Sequence, residues 1–256
     1  MDLENRYGVL AAQKDLLVLL KEFHSFCVEH EIKYSLSYGS LLGAIRHQGF
    51  IPWDDDLDVF VDRKNADLLN RALADSDLLQ VERESAESLW VDRVRQKNSP
   101  NRAAADFVPT LDILVLDNVP EGGFARALKM FLILTLQGMI KQRLTLGKGS
   151  IVLKACSILT YGLGKLFPLK WKKRWYRRVS QWGNACPTPF VANYNGEFAD
   201  LRRQYPCDMM DRIVEHRFED TQAFIVADYD KCLKIQFGDY MILPDEKDRK
   251  PAHGAS

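Results

Sequence analysis

Asp54, Asp55, Asp56 and Asp58 place four carboxylates within five consecutive positions. Carboxylates held that close repel one another, and a divalent cation among them is the simplest remedy. Leu57, Val59 and Val61 alternate with the acids. This period of two predicts a strand over Asp56 to Val61 with its carboxylates on one face. By that parity Asp54, Asp56 and Asp58 share a face and Asp55 points to the other. Two carboxylates two residues apart suit a hard cation such as magnesium, and phosphate oxygens would complete its coordination. The chemistry that follows is phosphoryl transfer, with charge neutralised as it develops. A solvated acidic turn is the bland alternative. The alternating Leu and Val residues argue against it.

Two further features stand near this segment. Gly39-Ser40 ends a short extended run, and a Gly-Ser that opens a helix offers backbone N–H groups and a hydroxyl to phosphate. Asp112 sits inside the apolar run Thr110-Leu111-Asp112-Ile113-Leu114-Val115. An unpaired carboxylate is expensive there, so a third metal ligand or a general base is the sharper reading, and an Asp at a surface edge the plainer one.

The elements that position these residues can be read from hydrophobic spacing. Leu16, Leu19, Leu20, Phe23 and Cys27 predict an amphipathic helix from Leu10 to His30. Lys33 to Tyr38 alternates as a strand does. Gly39-Ser40 is expected to break the chain before one or two helical turns from Leu41 to His47, and Pro52 disfavours helix just before it. Lys64 to Ser76 reads as helix, Leu78 to Glu84 and Leu89 to Gln96 as a hairpin, and Thr110 to Val115 as a third strand. Phe124 to about Trp182 reads as helical. Glu215 to Asp220 is strand or loop, and Asp228 to Phe237 a helix. The tail from Pro244 is polar and turn-rich.

Gly-Ser, then Asp-x-Asp on a strand, then a third Asp on a later strand resembles the nucleotidyltransferase superfamily pattern. The run from Tyr38 through Gly39-Ser40-Leu41-Leu42-Gly43-Ala44-Ile45-Arg46-His47-Gln48-Gly49-Phe50-Ile51-Pro52-Trp53 to Asp58 is similar to the diagnostic motif of the LicD family, which takes in fukutin-type ribitol-phosphate transferases. Asp112-Ile113-Leu114-Val115-Leu116-Asp117 resembles that family's Asp-Ile-Phe-Pro-Leu-Asp, with Leu-Val for Phe-Pro. Phe218-Glu219, Tyr229 to Leu233, Phe237-Gly238-Asp239-Tyr240-Met241 and Leu243-Pro244 resemble its closing pattern, with Phe-Gly where Tyr-Gly is usual. Arg249 and His253 match a weaker terminal Arg…His.

The resemblance implies an α+β fold, a nucleotidyltransferase-like mixed sheet flanked by helices. It implies transfer of a phospho-alcohol, phosphocholine being the best-known, from a CDP-activated donor to a hydroxyl of a cell-surface glycan or its lipid-linked precursor. Asp56, Asp58 and Asp112 would be the catalytic metal ligands for Mg2+, with Mn2+ as the substitute, and Asp54 would assist nearby. Gly39 and Ser40 would hold donor phosphate. Arg46 is close enough to neutralise phosphate charge, and an Arg fork suits bidentate contact. Trp53 would stack on a base or on choline, or simply pack. His47 reads as a surface residue more than as a proton shuttle, and Asp117 and Glu219 as structural. Which phosphorus is attacked stays open. The alternative is a nucleotidyltransferase that moves a nucleoside monophosphate to a small molecule or protein.

Bulk composition fits a globular chain: 256 residues, 46% hydrophobic and 27% charged. The five cysteines are scattered with no CxxC pair, so reduced thiols are expected rather than a disulfide framework or zinc site. The N-terminus lacks the basic start and apolar run of a signal peptide. No apolar stretch reaches the roughly 18 uncharged residues of a spanning helix; the longest candidate, Ala127 to Ile140, is short and contains Lys129. These features read as a cytoplasmic protein, with a peripheral place on the inner face of a membrane as an option. Net charge is zero, yet residues 122–196 hold 13 Lys and Arg and no Asp or Glu. The expected organisation is therefore a catalytic core over 1–121, a basic helical insert over 122–196 and a closing part over 197–256. Trp171, Trp175, Val179 and Trp182 recur at helical spacing among Lys170, Lys172, Lys173, Arg174, Arg177 and Arg178. Such a stripe fits an anionic membrane surface touching 122–182 or packing on the catalytic core. Nucleic acid is not expected, since no nucleic-acid motif accompanies the charge.

Overall fold

A computed structural model describes residues 7–82, 91–98, 108–141, 143–144, 151–185, 187–196 and 198–251. His253 and parts of the predicted Leu78–Gln96 hairpin lie outside them. The chain forms two compact units, one of Met1–Glu82, Asp92–Val115 and Asp208–Ser256, the other of Arg83–Val91 and Leu116–Cys207.

The first unit opens with α1 (Leu10–Glu29), whose buried stripe is Ala12, Leu16, Leu19, Leu20, Phe23, Phe26 and Cys27. Each Leu or Phe of this stripe removed from water contributes roughly 1.5–3 kcal/mol before entropy is counted. Then come β1 (Ser35–Leu36), α2 (Tyr38–His47), β2 (Asp58–Asp62), α3 (Arg63–Asp75), β3 (Leu79–Glu82), β4 (Asp92–Gln96) and β5 (Leu111–Asn118). The sheet order is β1-β2-β5-β4-β3, so the acidic strand and the Asp112 strand are neighbours. The chain leaves this unit at Val115 and returns as the antiparallel pair β8 (Ile213–Phe218) and β9 (Thr221–Val226) and the helix α7 (Tyr229–Phe237). Val226 N donates to Ser35 Oγ at 2.9 Å, and Phe224 N to the Tyr34 hydroxyl at 3.3 Å, tying the returning hairpin to β1.

The mixed sheet with flanking helices is the expected α+β class, and its local boundaries differ from the sequence reading in three places. α2 begins at Tyr38 and not Leu41, so Gly39 and Ser40 lie in its first turn. Tyr38, at the head of this helix, adopts φ 43°, a left-handed geometry rarely used by side-chain-bearing residues. β1 is only two residues long. β2 starts at Asp58, and Asp54 to Leu57 lie in the loop that leads into it.

The second unit holds α4 (Gly123–Ile140), α5 (Ile151–Gly164) and α6 (Leu169–Ser180), so the segment read as helical is three helices. It also supplies two strands, β6 (Phe190–Asn193) and β7 (Tyr205–Pro206), and β6 pairs antiparallel with the end of β5, Leu116 opposite Asn193. Its core joins Ile133, Leu136, Met139 and Ile140 of α4 to Tyr176 of α6 and to Ala192 and Tyr194. Two lysines of the basic run are interior. Lys129 Nζ donates to the carbonyls of Asn118 (2.9 Å) and Trp182 (2.8 Å) and stands 3.8 Å over the Tyr194 ring. Lys172 Nζ donates to the carbonyls of Met139 and Gly164, each at 2.9 Å. α4, at 18 residues, is long and apolar enough to cross a membrane, a length the uncharged-run reading passed over because Arg126 and Lys129 interrupt it. Here it is the helix on which α5 and α6 pack.

Candidate active site

The acidic loop is held from three sides. Gln13 Nε2 of α1 donates to the carbonyls of Ile51 (3.0 Å) and Asp54 (2.8 Å). Ser37 N donates to Asp58 O at 3.0 Å, and Asp58 N to Ser40 Oγ at 2.9 Å. The start of α2 is thereby latched to the backbone of Asp58. On the other edge Asp112 N donates to Leu57 O at 2.8 Å, which sets Asp112 beside the residue flanked by Asp56 and Asp58. Burial alternates through the loop as strand parity requires: Asp54, Asp56 and Asp58 are half-buried, Asp55 and Leu57 buried.

Gly39 faces Asp54, where a Cβ would collide with the Asp54 carboxylate. Gly43 packs on the backbone of Gly49 and Ile51, and Gly49 on the Glu219 side chain. Glu219 fixes the return of the loop, accepting from Phe50 N at 2.9 Å while its own N–H donates to Gln48 O at 2.7 Å. Its structural reading thus has partners. Asp117 lies in the second unit, accepting from Asn184 Nδ2 at 2.6 Å.

Burial pushes the Asp54 carboxyl up to about 8, and the neighbouring Asp56 charge and a hydrogen bond to Asp56 add to it. The Asp54 carboxyl thus resists ionisation beside Asp56, and a cation between the two would relieve that. Among the described residues no three His, Cys, Asp or Glu side chains form a ready-made metal cage. The donor set still fits magnesium, which binds through one or two carboxylates plus substrate phosphates and keeps its waters. Asp112 is engaged elsewhere. Arg93, opposite it on β4, places Nε 2.7 Å from Asp112 Oδ1. That pairing orients the carboxylate and was not readable before the strand register was known.

The raised Asp54 carboxyl has a consequence for stability. Unfolded, an Asp titrates near 3.8; folded, this one titrates near 8. Between those values the folded state holds a proton that the unfolded state lacks, so stability falls as pH rises through the window. In buffer free of divalent cations Asp54→Asn is expected to melt higher than the parent at pH 8, by about 2–4 °C per kcal/mol recovered, and to match it at pH 4. Melting curves at the two pH values check this.

A second cluster is basic. Arg46 Nη1 donates to Tyr240 O at 3.1 Å, while its buried Nε has no acceptor. Burial and then the charge of Arg249 lower the Arg46 pKa, so two guanidiniums stand near each other. Arg249 also lies 5.5 Å over the Trp53 ring, whose edge neighbours are Tyr7 and His47. The cation on the indole is thus the protein's own Arg249. The His47 pKa is lowered by burial and by Arg46, and its Nδ1 is buried without a partner. The Ser37 hydroxyl at the N-cap of α2 is likewise buried and unpartnered. Buried donors without acceptors are costly, and neighbouring like charges call for an anion between them.

The residues of the acidic loop and of the basic cluster, with Asp112 and Arg93, belong to the first unit. The sequence reading named Gly39, Ser40, Arg46, Trp53, Asp54, Asp56, Asp58 and Asp112. It gave no role to Gln13, Ser37 or Arg93, and it knew Arg249 only as part of a closing pattern. Ser40 spends one lone pair on Asp58 N and is buried, so it holds the strand whatever else it does.

Comparison with known proteins falls on the same segment. Residues 31–114 match the LicD/FKTN/FKRP nucleotidyltransferase domain. The lipopolysaccharide cholinephosphotransferase LicD of Haemophilus influenzae is 28% identical over 93% of this chain and 92% of its own length. Two uncharacterized proteins, RP689 of Rickettsia prowazekii and RT0683 of Rickettsia typhi, are each 52% identical over 44 residues, 17% of this chain and 16% and 14% of theirs. The segment that carries the acidic loop, α2 and Asp112 is thus the part of the chain that is similar to the LicD/FKTN/FKRP nucleotidyltransferase domain.

Proposed function

We propose that this enzyme transfers a phospho-alcohol, with phosphocholine as the leading candidate, from a CDP-activated donor to a hydroxyl of a cell-surface glycan, lipopolysaccharide or its lipid-linked precursor. The observation that carries the reading is the acidic loop and the guanidinium pair Arg46 and Arg249 built into one unit. Likeness to a cholinephosphotransferase over 93% of the chain supports the same reading. A CDP-activated donor is made in the cytoplasm, and that is where the reading puts the protein.

Asp56 and Asp58 would hold Mg2+, or Mn2+ in its place, with Asp112 beside them on β5. The cation would supply charge neutralisation at the transferring phosphoryl group. The remaining work belongs to the chain. Arg46 and Arg249 bind the donor's phosphates. The start of α2, with Gly39 bare of a side chain, offers N–H groups to an anion. Arg93 keeps Asp112 oriented. The acceptor hydroxyl attacks the distal phosphorus in line and gives up its proton to solvent as the diphosphate P–O bond breaks and CMP leaves; the gain comes from positioning and preorganised charge.

The nucleotidyltransferase description of the matched domain favours a second reading, attack on the α-phosphorus with transfer of the nucleoside monophosphate. Both readings require donor binding. A melting screen of CDP-choline, CDP-ribitol and CDP-glycerol with magnesium is expected to give one donor a rise of about 5 °C or more at a hundred times its Kd. No rise with any of the three contradicts the CDP-alcohol assignment.

A further inference from the structure

The second unit leaves an unusual set of apolar side chains in water. Along α5, Ile151, Ile158, Leu159 and Leu163 are exposed, followed by Leu166; three of them, Ile151 at 86%, Leu159 at 72% and Leu166 at 75%, are almost bare. On another side of α5, Thr160 fits against Gly138 and Gly164 against the Met139 backbone. The turn after α5 continues the surface. Phe167 packs edge-on against Trp175, 5.3 Å between centroids, and Trp175 against the exposed Trp171 at 6.4 Å.

α6 adds charge to this. Trp175 and Val179 pack on the unit's core and Lys172 is interior, so the stripe read from sequence divides. What faces outward is Lys170, Trp171, Arg174, Arg177 and Arg178, with the exposed Trp182 just past the helix end. Across 122–196 there is no carboxylate to pair with them.

We infer that the outer surfaces of α5 and α6 dock the protein on an anionic lipid bilayer. The apolar residues enter the headgroup boundary, Trp171 and Trp182 sit at its level, and the arginines meet lipid phosphate. Charge selects this occupant over a second copy of the chain. An isologous dimer through this face would set arginine against arginine with no acid to relieve them. α4 stays a core helix and does not span, because Lys129 and Gln137 are committed to protein carbonyls inside the unit.

Flotation of the full chain with vesicles tests this. Wild type is expected to float with phosphatidylcholine–phosphatidylglycerol vesicles at low salt, to be released by high salt, and to stay behind with phosphatidylcholine alone. The paired substitution Ile158→Glu with Leu159→Glu, and separately Arg174→Glu with Arg178→Glu, should each weaken binding about tenfold or more. These side chains are exposed, so melting temperature should not move. Donor turnover measured without vesicles should also be unchanged, which separates failure here from failure of the transferase reading. Wild type that does not float at low salt overturns the proposal, as does binding that neither pair weakens. So does a dimer in solution that Ile158→Glu with Leu159→Glu splits.

Discussion

Asp58→Asn and Asp56→Asn should each drop transfer to about one-thousandth of the parent rate or below, the equivalent of roughly 4 kcal/mol of transition-state stabilisation, and leave the fold standing. The loss follows from removing half the carboxylate charge that holds the cation. Survival of the fold follows from which atoms do structural work. Asp58 binds Ser40 and Ser37 through its backbone N–H and carbonyl, and Asn keeps both bonds. At position 56 the change removes a charge that Asp54 resists, so the Asp54 carboxyl should fall back toward its ordinary range. Turnover and melting temperature measured on the same preparations check both halves. A rate within tenfold of the parent would remove these residues from the metal site.

Arg46→Gln and Arg249→Gln form the second large effect. The Arg46 guanidinium is held where its charge is unwelcome in the free protein. Arg46 is partly desolvated, carries a buried Nε without an acceptor and stands near Arg249. An anionic donor reverses that balance. Loss of either should weaken donor binding by about 1.5–3 kcal/mol, roughly 10- to 150-fold in Kd, with the free protein no less stable than the parent. Residues that share one ligand also couple, so the double variant should fall short of the product of the single losses. Donor titration by calorimetry measures all three variants. Full additivity, or unchanged affinity, would mean that the two arginines are structural.

Much of this site could be read from residue order, and the reasons lie in local physics. The parity of Asp54, Asp56 and Asp58 against Leu57 and Val59 survives as alternating burial although ladder pairing starts only at Asp58. The α1 stripe was legible for the same kind of reason, a 3.6-residue period set by one buried face. What escaped were features created by register and return. Arg93 meets Asp112 only because β4 and β5 pair at that step. Arg249, some 200 positions beyond Arg46, reaches it only through the fold of the closing segment. The start of α2 was misplaced; Tyr38 at its head takes a left-handed φ, a cost that local propensity cannot foresee. In α6 the period of the tryptophans was right, but one helical face divided between core and solvent, and Lys172 turned inward to bind carbonyls.

The central claim is attack on the distal phosphorus. CDP-choline labelled at the phosphorus next to choline, incubated with the protein, magnesium and a lipopolysaccharide acceptor, reads it directly. The account predicts that label moves to the saccharide together with choline while CMP appears in solution in equal amount. Label left on soluble phosphocholine, with cytidine monophosphate attached to the acceptor, would contradict it.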